Sequence, residues 1–237
     1  MFSQNQFAKV SLVSIAISTI LIGSGPCTAV CAQSKAKLLQ DLGDIGPTIN
    51  QKIKDDPNNS GLYCMRGTLK MLKDDYHGAI NDFIKARDLG QVSQVHDYLG
   101  ICYTRLKDYN SALNSYNTAL SITPNSAPLL NNRGDTFLKL NRLKEAFADF
   151  SAALKLDSTL SDAYSNIGEC YMKSGQYAYA LQYFDKGISR DPKNFEAIYL
   201  RGTIYQKLGK AQAAAKDFAE AKRLGYEPGK TYFHEIF

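Results

Sequence analysis

Residues 161–194 read SDAYSNIGECYMKSGQYAYALQYFDKGISRDPKN. Small residues stand at Gly168, Ala180 and Gly187, aromatic ones at Tyr164, Tyr171, Tyr177 and Phe184, and Pro192 lies near the end. Ala180, Phe184 and Gly187 are spaced by four and three, which places them on one face of a helix. Pro192 cannot continue that helix and closes it. A glycine inside a helix costs about 1 kcal/mol against alanine, so Gly168 implies a tight crossing of two helices that offsets the loss.

The same beat runs outward in both directions. Glycines recur at 100, 134, 168 and 202, 34 residues apart, with Gly67 one residue off the register. Twelve residues after each comes Ala79, Ala112, Ala146, Ala180 or Ala214, and four later Phe83, Tyr116, Phe150, Phe184 or Phe218. Three more give Ala86, Ala119, Ala153, Gly187 and Ala221. Three residues after the glycine stand Tyr103, Phe137, Tyr171 and Tyr205, with Lys70 the exception, which suggests a rotated first helix in that repeat. Such a period predicts stacked helical hairpins rather than one globular core. The five repeats are 60–92, 93–126, 127–160, 161–194 and 195–228. Pro124 and Pro192 close the second and fourth. Gly90 and Gly225 are expected as left-handed caps of the first and last.

This pattern resembles the tetratricopeptide repeat family over residues 60–228, with 161–194 the best match. The resemblance implies an all-α, helical-hairpin solenoid of about five repeats wound as a right-handed superhelix. The first helices would line its concave face, and the whole would act as a non-catalytic adaptor for a protein or peptide.

The ends differ. Lys9 is the only charge in the first 32 residues, Val10–Gly23 is apolar apart from Ser, Thr and Gly, and Val30-Cys31-Ala32 carries small residues where a signal peptidase reads. Residues 1–32 therefore read as a secretory signal cleaved after Ala32, and the protein as exported, periplasmic or extracellular. An uncleaved membrane anchor is the competing reading, although about 14 apolar residues are short for a ~30 Å hydrocarbon core. Residues 33–59 read as an N-terminal cap, a degenerate half repeat in which Ile49 and Ile53 pack and Gly43, Gly46 and Pro47 weaken the front. Residues 229–237 form an aromatic tail. Its Tyr232, Phe233, Ile236 and Phe237 would cover the last hairpin, support self-association or insert into a partner.

Composition narrows the function. The net charge is +5, with 28 basic and 23 acidic residues intermixed, and no Lys/Arg block of the kind that tracks phosphates occurs, so nucleic acid is not an expected partner. The histidines, His77, His96 and His234, fall at unrelated repeat positions. No HExxH, CxxC, Walker loop or GxSxG turn appears. We therefore read no catalytic residue, cofactor or metal site. Cleavage would leave Cys64, Cys102 and Cys170, read as small core residues; packed helices 8–10 Å apart keep the last two beyond disulfide reach.

The concave face follows from phase, about 180° from the glycines. It gives Tyr98, Ile101 and Arg105 in the second repeat and Asn131, Asn132, Asp135 and Lys139 in the third. Asn166, Glu169 and Lys173 follow in the fourth, and Tyr199 and Thr203 in the fifth. In the first repeat the same positions are apolar, among them Met65, Met71 and Leu72. The expected ligand is a segment with an apolar anchor in the first two repeats and its backbone on Asn132 and Asn166, whose amides can donate and accept together. The competing reading is that residues 33–55 fold over the first repeat and fill that end. Arg105, Lys139, Lys173 and Lys207 mark one groove edge. Arg66, Arg133 and Arg201 precede glycines and are expected to pack their stems with their heads in water. The lysine and asparagine with which some family members grip a C-terminal carboxylate are missing. The alternative role is a structural subunit of a cell-envelope complex, joined through the convex face or the tail.

Overall fold

The computed structural model describes residues 39–40, 45–90 and 94–227, so the signal segment, most of the cap's front half and the C-terminal tail lie outside the described residues. The described residues form eleven helices and no strand: α1 (Gly46–Asp55), α2 (Ser60–Leu72), α3 (Tyr76–Asp88), α4 (Val95–Arg105), α5 (Tyr109–Ile122), α6 (Ala127–Lys139), α7 (Leu143–Leu156), α8 (Ser161–Lys173), α9 (Tyr177–Arg190), α10 (Phe195–Lys207) and α11 (Ala211–Arg223). The chain divides at Pro124–Asn125 into two compact parts. The N-terminal part holds α1 and the hairpins α2–α3 and α4–α5; the C-terminal part holds α6–α7, α8–α9 and α10–α11.

The recurrent glycines sit where the aromatic of the same hairpin crosses. A Cβ added at Gly67, Gly100, Gly134 or Gly202 would lie 2.8, 2.5, 2.7 or 2.9 Å from the ring of Phe83, Tyr116, Phe150 or Phe218. At Gly168 the gap to Phe184 is looser, 3.2 Å. The rings thus fill space within each hairpin as well as between hairpins: Phe83 and Tyr98 of the next repeat stack at 5.2 Å. Phe83, Phe150 and Phe184 are fully buried, each contributing about 1.5–3 kcal/mol. The phase of α2 is that of the other first helices, so Lys70 does not mark a rotation. Its Nζ instead reaches Asp82 at 2.9 Å.

Each hairpin turns through a left-handed residue seven places after its glycine: Asp74, Lys107, Asn141, Gly175 and Gly209, with φ between 56° and 76°. The following amide donates back across the turn to the residue three after the glycine, as from Asp108 to Tyr103 at 2.9 Å and from Gln176 to Tyr171 at 2.8 Å. That six-residue closure satisfies a carbonyl the helix end leaves open. Gly90 and Gly225 take the expected positive φ, 97° and 109°. The helices α5 and α9 stop two residues short of Pro124 and Pro192.

Arg66, Arg133 and Arg201 correct the sequence expectation: their heads do not end in water. Each guanidinium grips the carboxylate 16 residues on, Asp82, Asp149 or Asp217, through two hydrogen bonds of 2.7–2.9 Å. Those carboxylates are buried. The bidentate bond holds each arginine's pKa above its ordinary value. Arg66 also reaches Asn50 of α1, and Arg201 reaches Asp185 of α9. The second and fourth repeats carry Leu99 with Ser115 and Ile167 with Tyr183 at the paired positions.

At the front, α1 starts at Gly46 with Pro47 in its first turn, the one place in a helix where proline's missing amide costs nothing. Ile49 and Ile53 are buried and α1 packs on α2. At the far end the exposed face turns polar. Met172, Leu181 and Ile188 pack α8–α9 onto α10. Thirty-four residues later the chain has Gln206, Ala215 and Lys222, all exposed. Terminal repeats need such a solvated face.

Candidate functional site

Within each part the first helices of neighbouring hairpins touch, whereas the second helices are held further apart. The first helices therefore line the inner face, and the wedge that opens between second helices lies outside. In the C-terminal part the inner face is built on α6, α8 and α10, and it is polar to its floor. Asn131, Asn132, Ser165, Asn166 and Glu169 are all buried, Asn131 being 1% and Glu169 3% exposed.

The structure brings several of the sequence-selected residues together there. Asn166 donates from Nδ2 to Oδ1 of Asn131 on the preceding first helix at 3.4 Å. Asp135 and Glu169 hold one repeat position and face the lysines four residues on, with Asp135–Lys139 at 3.6 Å and Glu169–Lys173 at 3.8 Å. The lysine row is thus partly neutralised by its own helices. Asn132 is 7% exposed, and among the described residues its carboxamide makes no hydrogen bond; only its backbone carbonyl accepts, from Thr136 Oγ1 at 3.0 Å. Thr203 bonds its own helix at Tyr199 O. Tyr199 packs against Phe218 at 5.3 Å and stacks on Tyr226 at 4.1 Å, so one of its faces is covered by the residues after α11.

Tyr98, Ile101 and Arg105 belong to the N-terminal part. Tyr98 is 8% exposed, with its ring on Phe83 and its hydroxyl pushed up to about 12 by burial. Ile101 is buried and Arg105 half-buried. Met71 and Leu72, expected to form an apolar groove end, are 1% and 0% exposed and belong to the core. That packing correction removes the two deepest members of the proposed apolar anchor site.

The three described cysteines are free. Burial pushes the thiols of Cys64, Cys102 and Cys170 up to about 11, 12 and 12, opposite to the shift a reactive thiolate needs. Among the described residues no group of His, Cys, Asp and Glu is placed to hold a metal ion, and no helix is long and apolar enough to cross a membrane.

Sequence reasoning missed a second feature, on the outer side. Between α7 and α9 the wedge is filled by rings. Tyr171 meets Phe147 edge-on at 5.6 Å, stacks with Tyr179 at 5.3 Å and touches Tyr183 at 5.4 Å, and Tyr183 meets Tyr164 at 6.4 Å. Lys186 lies over Tyr183 at 4.9 Å and Arg190 over Tyr164 at 4.1 Å. Its sequence signal was Tyr183 at the position held by the clamped aspartate in three other repeats.

Comparison with known proteins agrees with this architecture. A family model described as tetratricopeptide repeat matches residues 161–194 and another 183–216, and one described as TPR repeat matches 102–141 and 134–175. No curated protein matches the sequence. Among solved structures, MamA is 25% identical with a TM-score of 0.57, over 66% of this chain and 92% of that one. PilW, described as a widely conserved type IV pilus biogenesis factor, gives a TM-score of 0.69 at 20% identity over 96% of this chain and 97% of its own. YrrB, described as a TPR protein with an unusual peptide-binding site, gives 0.56 at 20% identity over 75% and 92%. At those identities PilW and YrrB speak to the fold.

Proposed function

The chain is a tetratricopeptide-repeat protein, and on that premise we propose that it is a non-catalytic adaptor that binds an extended protein segment along the inner face of α6, α8 and α10. The observation that carries this reading is Asn132. The residue is 7% exposed, and its carboxamide makes no hydrogen bond among the described residues while keeping surface that solvent reaches, so donor and acceptor both stay open to a ligand. A peptide unit supplies both the donor and the acceptor it lacks. Asn166 stands on the neighbouring first helix, tied by one donor to Asn131. Its remaining capacity takes a second peptide unit. Rigid helices hold both amides in place before the ligand arrives, which lowers the ordering cost of binding. The ion pairs Asp135–Lys139 and Glu169–Lys173 flank the site, and the segment's own charges compete with them.

The reading includes export. With an N-terminal segment of the secretory kind, the partner belongs to the periplasm, the cell envelope or the exterior. The second reading, a structural subunit of an envelope assembly, is favoured by the ring-lined wedge on the outer side.

The test is a cross-linking capture from envelope extract with the native protein and an Asn132→Ala, Asn166→Ala double variant shown to stay helical. A partner held by the native protein and lost with the variant supports the inner face. A partner held equally by both removes it.

A further inference from the structure

The outer wedge between α7 and α9 is built differently from its neighbour. Between α9 and α11 the equivalent place is occupied by charge, where Arg201 bonds both Asp185 and Asp217 at 2.7 Å. Between α7 and α9 the arginine is replaced by Ile167 and the aspartate by Tyr183, and the space is filled by the rings that meet around Tyr171. Tyr179, at one end of this furrow, is 54% exposed, far more than a tyrosine held only for packing. From Tyr179 to Arg190 the furrow follows α9 for about 16 Å at 1.5 Å per residue.

Charge at the other end leans positive, with Lys155, Lys186 and Arg190 against Asp157 and Asp191. Arg190 bonds the backbone carbonyl of Ser158 at 3.3 Å, which brings the end of α9 beside the turn that follows α7. Its other partners are the Tyr164 hydroxyl and the Lys186 carbonyl, both neutral. Lys155 and Lys186 are exposed. Among the described residues no carboxylate pairs with Lys155, Lys186 or Arg190; Asp185 is matched to Arg201 and Glu145 to Arg142, while Asp157 and Asp191 at the same end accept from Thr159 and from the Lys193 amide. Leu156, 47% exposed, adds apolar surface at the same end.

We propose that this furrow is a second docking surface, which takes an acidic, amphipathic protein segment with apolar side chains on the tyrosine rings and carboxylates on Lys155, Lys186 and Arg190. The choice of occupant rests on charge complementarity: three unmatched cations rim an aromatic surface, and opposite charge both steers and orients a partner. Tyrosine suits the floor because it presents a flat apolar body with a polar tip. Apolar anchors on a helix recur every three or four residues, so about three turns of helix cover the furrow. This surface is separate from the inner face and does not depend on it.

The experiment uses the full chain and a synthetic helical peptide of about 14 residues, with leucine and phenylalanine on one face and glutamate elsewhere. Binding is followed by backbone amide NMR. Expected are shifts confined to α7, α9 and the 157–160 turn, an affinity that weakens as salt rises, and loss of about tenfold or more in Lys186→Glu and in Tyr179→Ser. Both side chains are exposed, and circular dichroism checks that each variant keeps its helices. The Asn132→Ala, Asn166→Ala variant binds as the native protein does, which separates this surface from the inner face. The proposal is overturned if no shift appears up to millimolar peptide, or if a lysine-for-glutamate peptide binds as well. Shifts on the inner faces of α6, α8 and α10, or binding of anionic phosphatidylglycerol vesicles in place of the peptide, overturn it equally.

Discussion

The pairing of Arg133 with Asp149 makes a sharp quantitative prediction, because this chain contains its own control. The guanidinium bonds the carboxylate twice at 2.7 Å, and the side chains are 23% and 9% exposed. Arg133→Leu leaves a buried carboxylate without its cation, which costs about 3–5 kcal/mol. Asp149→Ser leaves an arginine long enough to swing its head into water, so the cost falls to about 1–2 kcal/mol. The second repeat already carries Leu99 and Ser115 at these positions, with Ser115 Oγ bonded to the Ser111 carbonyl at 2.9 Å. A serine at 149 finds the same kind of carbonyl four residues back. The double variant therefore returns to within about 1 kcal/mol of the native protein, a coupling of about 2 kcal/mol or more between contacting sites. Urea denaturation by far-UV circular dichroism, with tyrosine fluorescence as a second probe, measures all four corners of the cycle. If Arg133→Leu costs no more than Asp149→Ser, or if the double variant equals the sum of the singles, the account of the clamp is wrong.

Other predictions follow from the same geometry. Gly134→Ala brings a Cβ within 2.7 Å of Phe150, whereas at Gly168 the gap to Phe184 is 3.2 Å. Overpacking of about 1–3 kcal/mol against a helix gain of about 1 makes the first destabilising and the second near neutral in urea titrations, and equal effects would refute the close-approach argument. Lys107 holds a φ of 60°, so Lys107→Gly should raise stability by up to about 1 kcal/mol; a loss would mean that the lysine side chain matters to the turn. The thiols of Cys102 and Cys170, pushed up to about 12 by burial, should resist a disulfide reagent at pH 8 until urea unfolds the protein. Because the unfolded thiols ionise first, at about 8.5, their contribution is complete below that pH and is lost as pH rises towards 12, by about 1.4 kcal/mol per unit for each thiol. A Cys102→Ala, Cys170→Ala variant should lose that part of the alkaline decline, and an unchanged decline would place its cause elsewhere.

The hairpins were legible because their constraint is steric and repeats. A glycine that admits a ring must recur wherever the crossing recurs, so Gly100, Gly134 and Gly168 announce themselves. The turns were less legible: Asp74, Lys107 and Asn141 take left-handed backbone without the glycine that signals it at Gly175 and Gly209. The clamps were missed because arginine and aspartate stand 16 residues apart, outside any helical spacing, and only repeats 1, 3 and 5 carry them. Lys70 misled for the same reason, since a core-side lysine reads as a rotation until Asp82 is placed beside it. Phase on α6 and α8 selected Asn131, Asn132 and Asn166 as a group. Their depth and the bond between Asn166 and Asn131 depend on how closely neighbouring first helices approach, which no single helix encodes.

The alternation of those clamps bears on how a repetitive chain finds its own order. Five similar hairpins could in principle dock in the wrong sequence, since each offers a ring over a glycine. A slip that placed the second helix of an even repeat against the first helix of an odd one would bring Ser115 or Tyr183 to a guanidinium that expects a carboxylate. An arginine left so swings its head into water at about 1–2 kcal/mol, whereas the reverse slip, which sets a buried aspartate against Leu99 or Ile167, orphans a carboxylate and costs about 3–5 kcal/mol. We infer that Arg66, Arg133 and Arg201 act as address labels, in that their charge says which second helix is the right partner. Their worth would then show in the yield of correctly ordered arrays on refolding rather than in the stability of the array once formed.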